Sequence, residues 1–241
     1  MYYVCSGTLI STKHVLTAAR CIKSIPKGGL LTVSPGSHFL SEAKQAKNQI
    51  KVLLVNLRKN NHLKENDIAL LKLSRSVKLS KKVQTVCLPN LMDIGLVYGK
   101  NLVLTGWGSS NGKREMTAYS NGLKQTSIKL WNFFNSSLCQ GLDLKLYCGL
   151  GTASSNACFG DSGSGLMFNF DNRWYLYGVT SFGIRKPAAN AVACDKNSPS
   201  FYTIIPKHLD WILSKISTSK VPFKTKKYSI PSKKIKFAGL I

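Results

Sequence analysis

Acidic residues are scarce in this chain. Ten Asp and Glu stand against 34 Lys and Arg in 241 residues, a formal net charge of +24. Such an imbalance attracts polyanions at long range: heparin-like glycans, nucleic acid or anionic lipid. Arginine is also scarce, only six residues against a large excess of lysine. Bidentate reading of bases and phosphates favours arginine, so no specific nucleic-acid reader is expected. Histidine occurs four times, and the seven cysteines form no C-x-x-C pair. Zinc-ligand spacing is therefore missing, and no metal is expected. Disulfides in an oxidising, extracellular compartment are the better use of seven cysteines. No run of 18 apolar residues exists, so no transmembrane helix is expected. The first ten residues, MYYVCSGTLI, lack the basic stretch and apolar core of a signal peptide.

What is present is a series of short strand-like runs bounded by Gly, Asn, Ser or Pro. They include KVLLVNL from Lys51, DIALLKL from Asp67, NLVLTGW from Asn101, LKQTSIKL from Leu123, RWYLYGV from Arg173 and SFYTII from Ser200. Runs of this length separated by turn residues predict barrels or a sandwich. PKHLDWILSKIS differs: Leu209, Ile212 and Ile216 share one helical face, and Pro206 stands near a helix start. A C-terminal amphipathic helix is expected there. From Lys215 onward the chain has eight lysines and no acidic residue, broken by Pro222 and Pro231. Like charge and sparse apolar content predict that 218–241 is a flexible basic tail outside the core. Phe223, Tyr228 and Phe237 lie among the lysines, a pattern suited either to polyanion contact or to plain solvation.

Three motifs carry chemistry. NACFGDSGSG, Asn156 to Gly165, sets Ser162 on a glycine-bounded turn. A serine hydroxyl attacks a carbonyl only where backbone N–H groups face the developing oxyanion, and glycine permits that close approach. NDIALLKL places Asp67 before a buried strand, and TAARC spans Thr17 to Cys21. In this order and spacing, with TGWG (Thr105 to Gly108), VCLP (Val86 to Pro89) and Trp211 in the closing helix, the chain resembles the chymotrypsin/trypsin-like serine proteases (peptidase S1 type) over residues 3 to about 217.

The resemblance implies an all-β fold of two six-stranded antiparallel barrels with a C-terminal helix, residues 1–217, the barrels dividing near 106. It implies that the first strand or strands lie upstream of Met1. Ser162 and Asp67 would be triad members, and Gly160 and Ser162 the oxyanion-hole donors. Asn156, Ser181, Phe182, Gly183 and Ser200 would form the specificity pocket. By the same resemblance Cys5 pairs with Cys21, Cys139 with Cys148 and Cys158 with Cys194. Cys87 is left over, either bonded to an upstream segment or a free thiol. Asn135 in N-S-S fits a glycosylation acceptor.

The departures are as informative. Arg20 stands where the family has its histidine. A general base must accept the serine proton and return it, and a guanidinium accepts nothing. Its charge beside Asp67 predicts a static salt bridge. None of His14, His38, His62 and His208 is spaced to replace it. Asn156 replaces the aspartate that trypsin-like members use for Arg or Lys, and Ser200 adds bulk to the pocket wall. Phe182 replaces the usual tryptophan, and IRKPAANAVA lengthens the segment between Gly183 and Cys194. In the family a new N-terminal ammonium pairs with the aspartate before the nucleophile, here Asp161, but no Ile-Val-Gly-Gly-like start is present.

Three functions remain open. The first is a secreted serine protease homologue that is inactive and binds protein substrates or inhibitors in its cleft. The second is an active serine endopeptidase of non-trypsin specificity. The third is a surface protein that binds heparin-like polyanions through the basic tail. No cofactor is implied, because triad chemistry needs none.

Overall fold

The computed structural model describes residues 2–26, 29–43, 45–58, 66–114, 116–132, 139, 145–152, 155–188, 191–217 and 234–240. His62 and Asn135, with the rest of the tail, lie outside them. Five strands begin the first barrel: β1 (Tyr2–Ser11), β2 (His14–Thr17), β3 (Leu30–Val33), β4 (Ile50–Leu57) and β5 (Ala69–Leu73). Short helices α1 (Ala19–Lys23) and α2 (Leu40–Ala43) fall between them. The second barrel uses β6 (Asn101–Gly106), β7 (Lys124–Trp131), β8 (Leu146–Gly151), β9 (Gly165–Phe170), β10 (Arg173–Gly183) and β13 (Ser200–Ile204), closed in the order β10-β13-β8-β7-β6-β9. Between β10 and β13, β11 (Arg185–Ala188) and β12 (Ala191–Cys194) form a separate two-stranded hairpin. This is the segment that lengthens the pocket rim.

The strands match the six expected from sequence to within a few residues, because their apolar residues had two interiors to fill. Leu16, Ile68, Leu70 and Leu71 are fully buried in the first barrel. Met167, Leu176 and Val179 from the second join the same apolar cluster, so the barrels share a core across their contact. Leu102, Ile128, Leu130, Tyr147 and Tyr202 fill the second interior. Each fully buried aliphatic side chain contributes roughly 1.5–3 kcal/mol by leaving water. The crossover between barrels runs through 74–100, upstream of the expected division near 106; TGWG ends strand β6 and continues past it.

Helix α3 (Leu209–Ser217) follows a 3-10 turn begun by Pro206, as the sequence predicts. Ile212 is fully buried, while Leu209, Trp211 and Ile216 pack half-buried against the shared core.

The tail departs from expectation. Lys234–Leu240 forms β14, parallel to both neighbours, between β1 and β3. The register pairs Tyr2 with Ile235 and Gly7 with Gly239 on one side, and Leu30 with Lys234 and Val33 with Phe237 on the other. This sixth strand, far in sequence from the other five, completes the closed order β1-β14-β3-β4-β5-β2. The sequence signal was the alternation Lys-Ile-Lys-Phe at 234–237, a period-two pattern overshadowed by the lysine count. A strand without β14 would leave two rows of unpaired backbone groups exposed on β1 and β3. Deleting residues 234–241 is expected to lower the melting temperature by about 5–10 °C, equivalent to a few kcal/mol for a chain of this size. Calorimetry of the deletion and the full chain checks this, and an unchanged melting temperature would exclude β14 from the barrel.

Candidate active site

The site lies where the barrels meet. Asp67 immediately precedes β5, and it is fully buried. Helix α1 carries Arg20, tied to β1 through the Cys5–Cys21 disulfide. Arg20 donates twice to this carboxylate: its backbone N–H to Oδ1 at 2.8 Å, and its side-chain Nε to Oδ2 in a close ion pair. Ser181 in β10 closes a triangle, donating to Asp67 Oδ2 at 2.7 Å and accepting from Arg20 Nη2 at 2.9 Å. Thr203 in β13 donates to the Asp67 carbonyl at 3.1 Å. The Arg20 guanidinium also sits 5.5 Å from the centre of the Phe182 ring. The predicted static salt bridge is formed. Ser181, expected only as a pocket residue, is also a partner of both charges, and Thr203 was missed because a strand threonine carries no distinguishing sequence signal.

The Ser162 turn is held by glycine at two positions. Gly163 has φ +84°, and a Cβ there would meet Thr17 Oγ1 at 2.2 Å and the Ser6 carbonyl at 2.3 Å. Gly160 has φ +95°, with Gly108 Cα and the Tyr119 ring against it. Tyr3 donates its hydroxyl to the Gly160 carbonyl at 2.7 Å, and the Ser6 N–H donates to the Ser162 carbonyl at 3.0 Å. The Phe159 carbonyl accepts from the Ser109 N–H at 2.8 Å. In a trans peptide the N–H points opposite to the C=O, so the Gly160 N–H is turned away from Ser109. Neither the Gly160 nor the Ser162 N–H donates to a backbone carbonyl among the described residues. Ser162 Oγ is likewise without a hydrogen-bond partner among those residues.

Ser162, Arg20, Ser181, Phe182 and Gly183 border one cavity of about 50 Å³, beside the Cys158–Cys194 disulfide. Asn156 and Ser200, expected in this pocket, do not line it. Asn156 is engaged instead: its Nδ2 donates to the Ser198 carbonyl at 2.7 Å, and its Oδ1 accepts from Ser200 Oγ at 3.1 Å and the Ala157 N–H at 2.9 Å. Phe182 stacks on Phe201 with ring centres 4.8 Å apart.

Behind it lies a second cavity, about 160 Å³, lined by Gly106, Gly108, Asn156 and Asp161 among others. The Asp161 carboxylate accepts from the Gly108 and Cys158 N–H groups, each at 2.9 Å. No cation pairs with it among the described residues. Burial pushes its pKa up to about 6, against the opposing pull of the two amides.

The expected disulfides Cys5–Cys21, Cys139–Cys148 and Cys158–Cys194 are formed, and Cys87 is free and exposed. The described histidines serve elsewhere. His14 is bonded to Ser11 Oγ, His208 to Arg58, and His38 meets Phe39 edge to face. None borders the Ser162 cavity. No group of three or more His, Cys, Asp or Glu able to hold a metal occurs among the described residues.

Comparison with known proteins agrees with this geometry. The Trypsin family model matches residues 2–212. The chain belongs to the trypsin family. It is 29% identical over 232 residues to the CLIP domain-containing serine protease B4 of Anopheles gambiae, covering 88% of this chain and 62% of that protein. It is 31% identical over 227 residues to the transmembrane protease serine 11G of Mus musculus, covering 89% and 50%, and 30% identical to its Rattus norvegicus counterpart, covering 88% and 49%. The chain thus spans between half and about three-fifths of the length of these relatives. Within this trypsin-family chain no described helix is long and apolar enough to cross a membrane.

Asp161 makes a pH prediction. Its folded pKa lies above the unfolded value, so the folded state holds this proton to higher pH than the unfolded state does. The group's contribution to stability is therefore fully present below about pH 4 and is lost as pH rises through about 6. The stability of the native chain minus that of Asp161→Asn should fall across this window, by about 2–3 kcal/mol in all. Denaturant unfolding of both at pH 4, 5, 6 and 7 checks it; a difference flat with pH refutes it.

Proposed function

We propose that this trypsin-family chain is a secreted homologue that binds protein or peptide segments in its cleft without cleaving them. One observation carries the reading: the Arg20 guanidinium is locked between Asp67 and Ser181 at the place where the family's general base would stand. Acyl transfer needs a group beside Ser162 that takes its proton and later returns it to the leaving amine. Arginine remains protonated throughout the physiological range. In related triads, losing this member costs on the order of 10⁶-fold in turnover, and binding with the oxyanion donors leaves perhaps 10³-fold over water. The cleft frame is nevertheless retained: the glycine-bounded turn and the Cys158–Cys194 brace. Three disulfides suit an oxidising, extracellular compartment.

The charge of +24 supports a second role, retention on heparin-like polyanions. Because β14 belongs to the first barrel, that role is tested by Lys→Gln changes within 218–233, which keep the strand, rather than by truncation. Salt-sensitive heparin retention reduced by those changes would place the polyanion contact in the tail.

The decisive assay compares hydrolysis of a mixed peptide library by the native protein and by Arg20→His. The expected result is a silent native protein and a revertant that cuts. Efficient cleavage by the native chain, abolished by Ser162→Ala, would establish an active endopeptidase and sink the reading.

A further inference from the structure

We propose that the segment received by the cleft is acidic, with an Asp or Glu side chain seated beside Ser162 and facing Arg185. This rests on the reading that the cleft binds protein segments without cutting them, and it names the chemistry of those segments.

The first observation is where arginine is used. A chain that is otherwise rich in lysine has six arginines, and three of them, Arg20, Arg114 and Arg185, gather around this cleft. Arg185 opens the hairpin strand β11 and lines the small cavity with Arg20 and Ser162. Its guanidinium lies 5.2 Å from the centre of the Phe159 ring, and that of Arg114 lies 6.0 Å from the same ring. An aromatic flanked by two guanidiniums holds both cations in place by cation–π attraction, so less side-chain freedom is lost when they bind an anion.

The second observation is the lack of compensating charge. Of the charged residues lining the cavity, Arg20 and Arg185 are both basic, and none is acidic. Arg20 is neutralised by Asp67, while Arg185 and Arg114 have no carboxylate partner among the described residues. Two carboxylates lie close by, and both are occupied. Asp195, next to Cys194, accepts from Ser198 Oγ at 2.6 Å and the Asn197 N–H at 3.1 Å, and lies 4.0 Å from Lys186. Asp161 faces the rear cavity, with the Gly108 and Cys158 amides on it.

The third observation is size. About 50 Å³, with Phe182 of the lining stacked on Phe201, suits a short side chain and rejects a ring or a long basic one. Short, anionic and able to accept several N–H bonds describes a carboxylate side chain.

The test uses fluorescein-labelled peptides with amidated C-termini, each carrying a central Asp or Glu pair, and twins with Asn or Gln instead. Binding is read by anisotropy at 0.15 M salt, where exposed charges more than about 8 Å apart are largely screened. The acidic peptides should bind at least about tenfold more tightly than their twins, and Arg185→Gln and Arg114→Gln should each weaken them by roughly 3- to 30-fold. The twins' affinity should hardly change. Lys81→Gln with Lys82→Gln, two exposed lysines outside the cavity lining, serves as the control for bulk charge. Equal binding of acidic and neutral peptides, or an equal loss in the lysine control, overturns the acidic preference while leaving cleft binding intact. A neutral peptide with a free C-terminus that binds as well as the acidic set would assign the site to chain ends and overturn the side-chain assignment. Heparin binding with no peptide bound at all would overturn this inference together with the binding reading on which it rests.

Discussion

A carboxylate with no exposure to solvent has to be matched, and Asp67 is matched from both barrels at once. Helix α1 of the first barrel supplies the Arg20 amide and guanidinium and β10 of the second supplies Ser181, while Thr203 of β13 donates to the Asp67 backbone carbonyl. An isolated buried charge would cost several kcal/mol, so the partners are held wherever Asp67 is ionised. The consequence is mechanical as well as electrostatic. Arg20 and Ser181, which match the charge, also join the two barrels at the cleft.

That matching also explains why the loss of the histidine need not cost the fold. Arginine is longer than histidine and carries its charge permanently, yet it satisfies the carboxylate through Nε while Nη2 reaches Ser181. A guanidinium carries its charge permanently and accepts no proton, so Arg20 gives Asp67 a lasting counter-charge.

The two cavities behave differently for a related reason. In the rear one, Asp161 has amide donors and no cation, and burial holds its pKa near neutrality. In the front one, Arg20 is matched by Asp67, while the exposed Arg185 has no carboxylate partner among the described residues. An unmatched charge favours whatever ligand supplies the missing sign.

Much of this was legible in one dimension. The strands announced themselves by short apolar runs between turn residues, α3 by the spacing of Leu209, Ile212 and Ile216, and the Asp67–Arg20 contact by the motif order. Such features depend on neighbours in sequence or on motifs that bring their geometry with them. What the chain did not reveal alone depends on partners distant in sequence. Lys234–Leu240 read as tail because charge along the chain hides a strand whose hydrogen bonds come from β1 and β3. Asn156 and Ser200 read as pocket lining because their bond to one another, across 44 residues, is invisible in sequence. That Arg114 and Arg185 both approach the Phe159 ring is a contact no sequence spacing announces. Local pattern determined the elements and the arginine at position 20; only tertiary packing decided which polar groups are spent on each other and which are left without a partner.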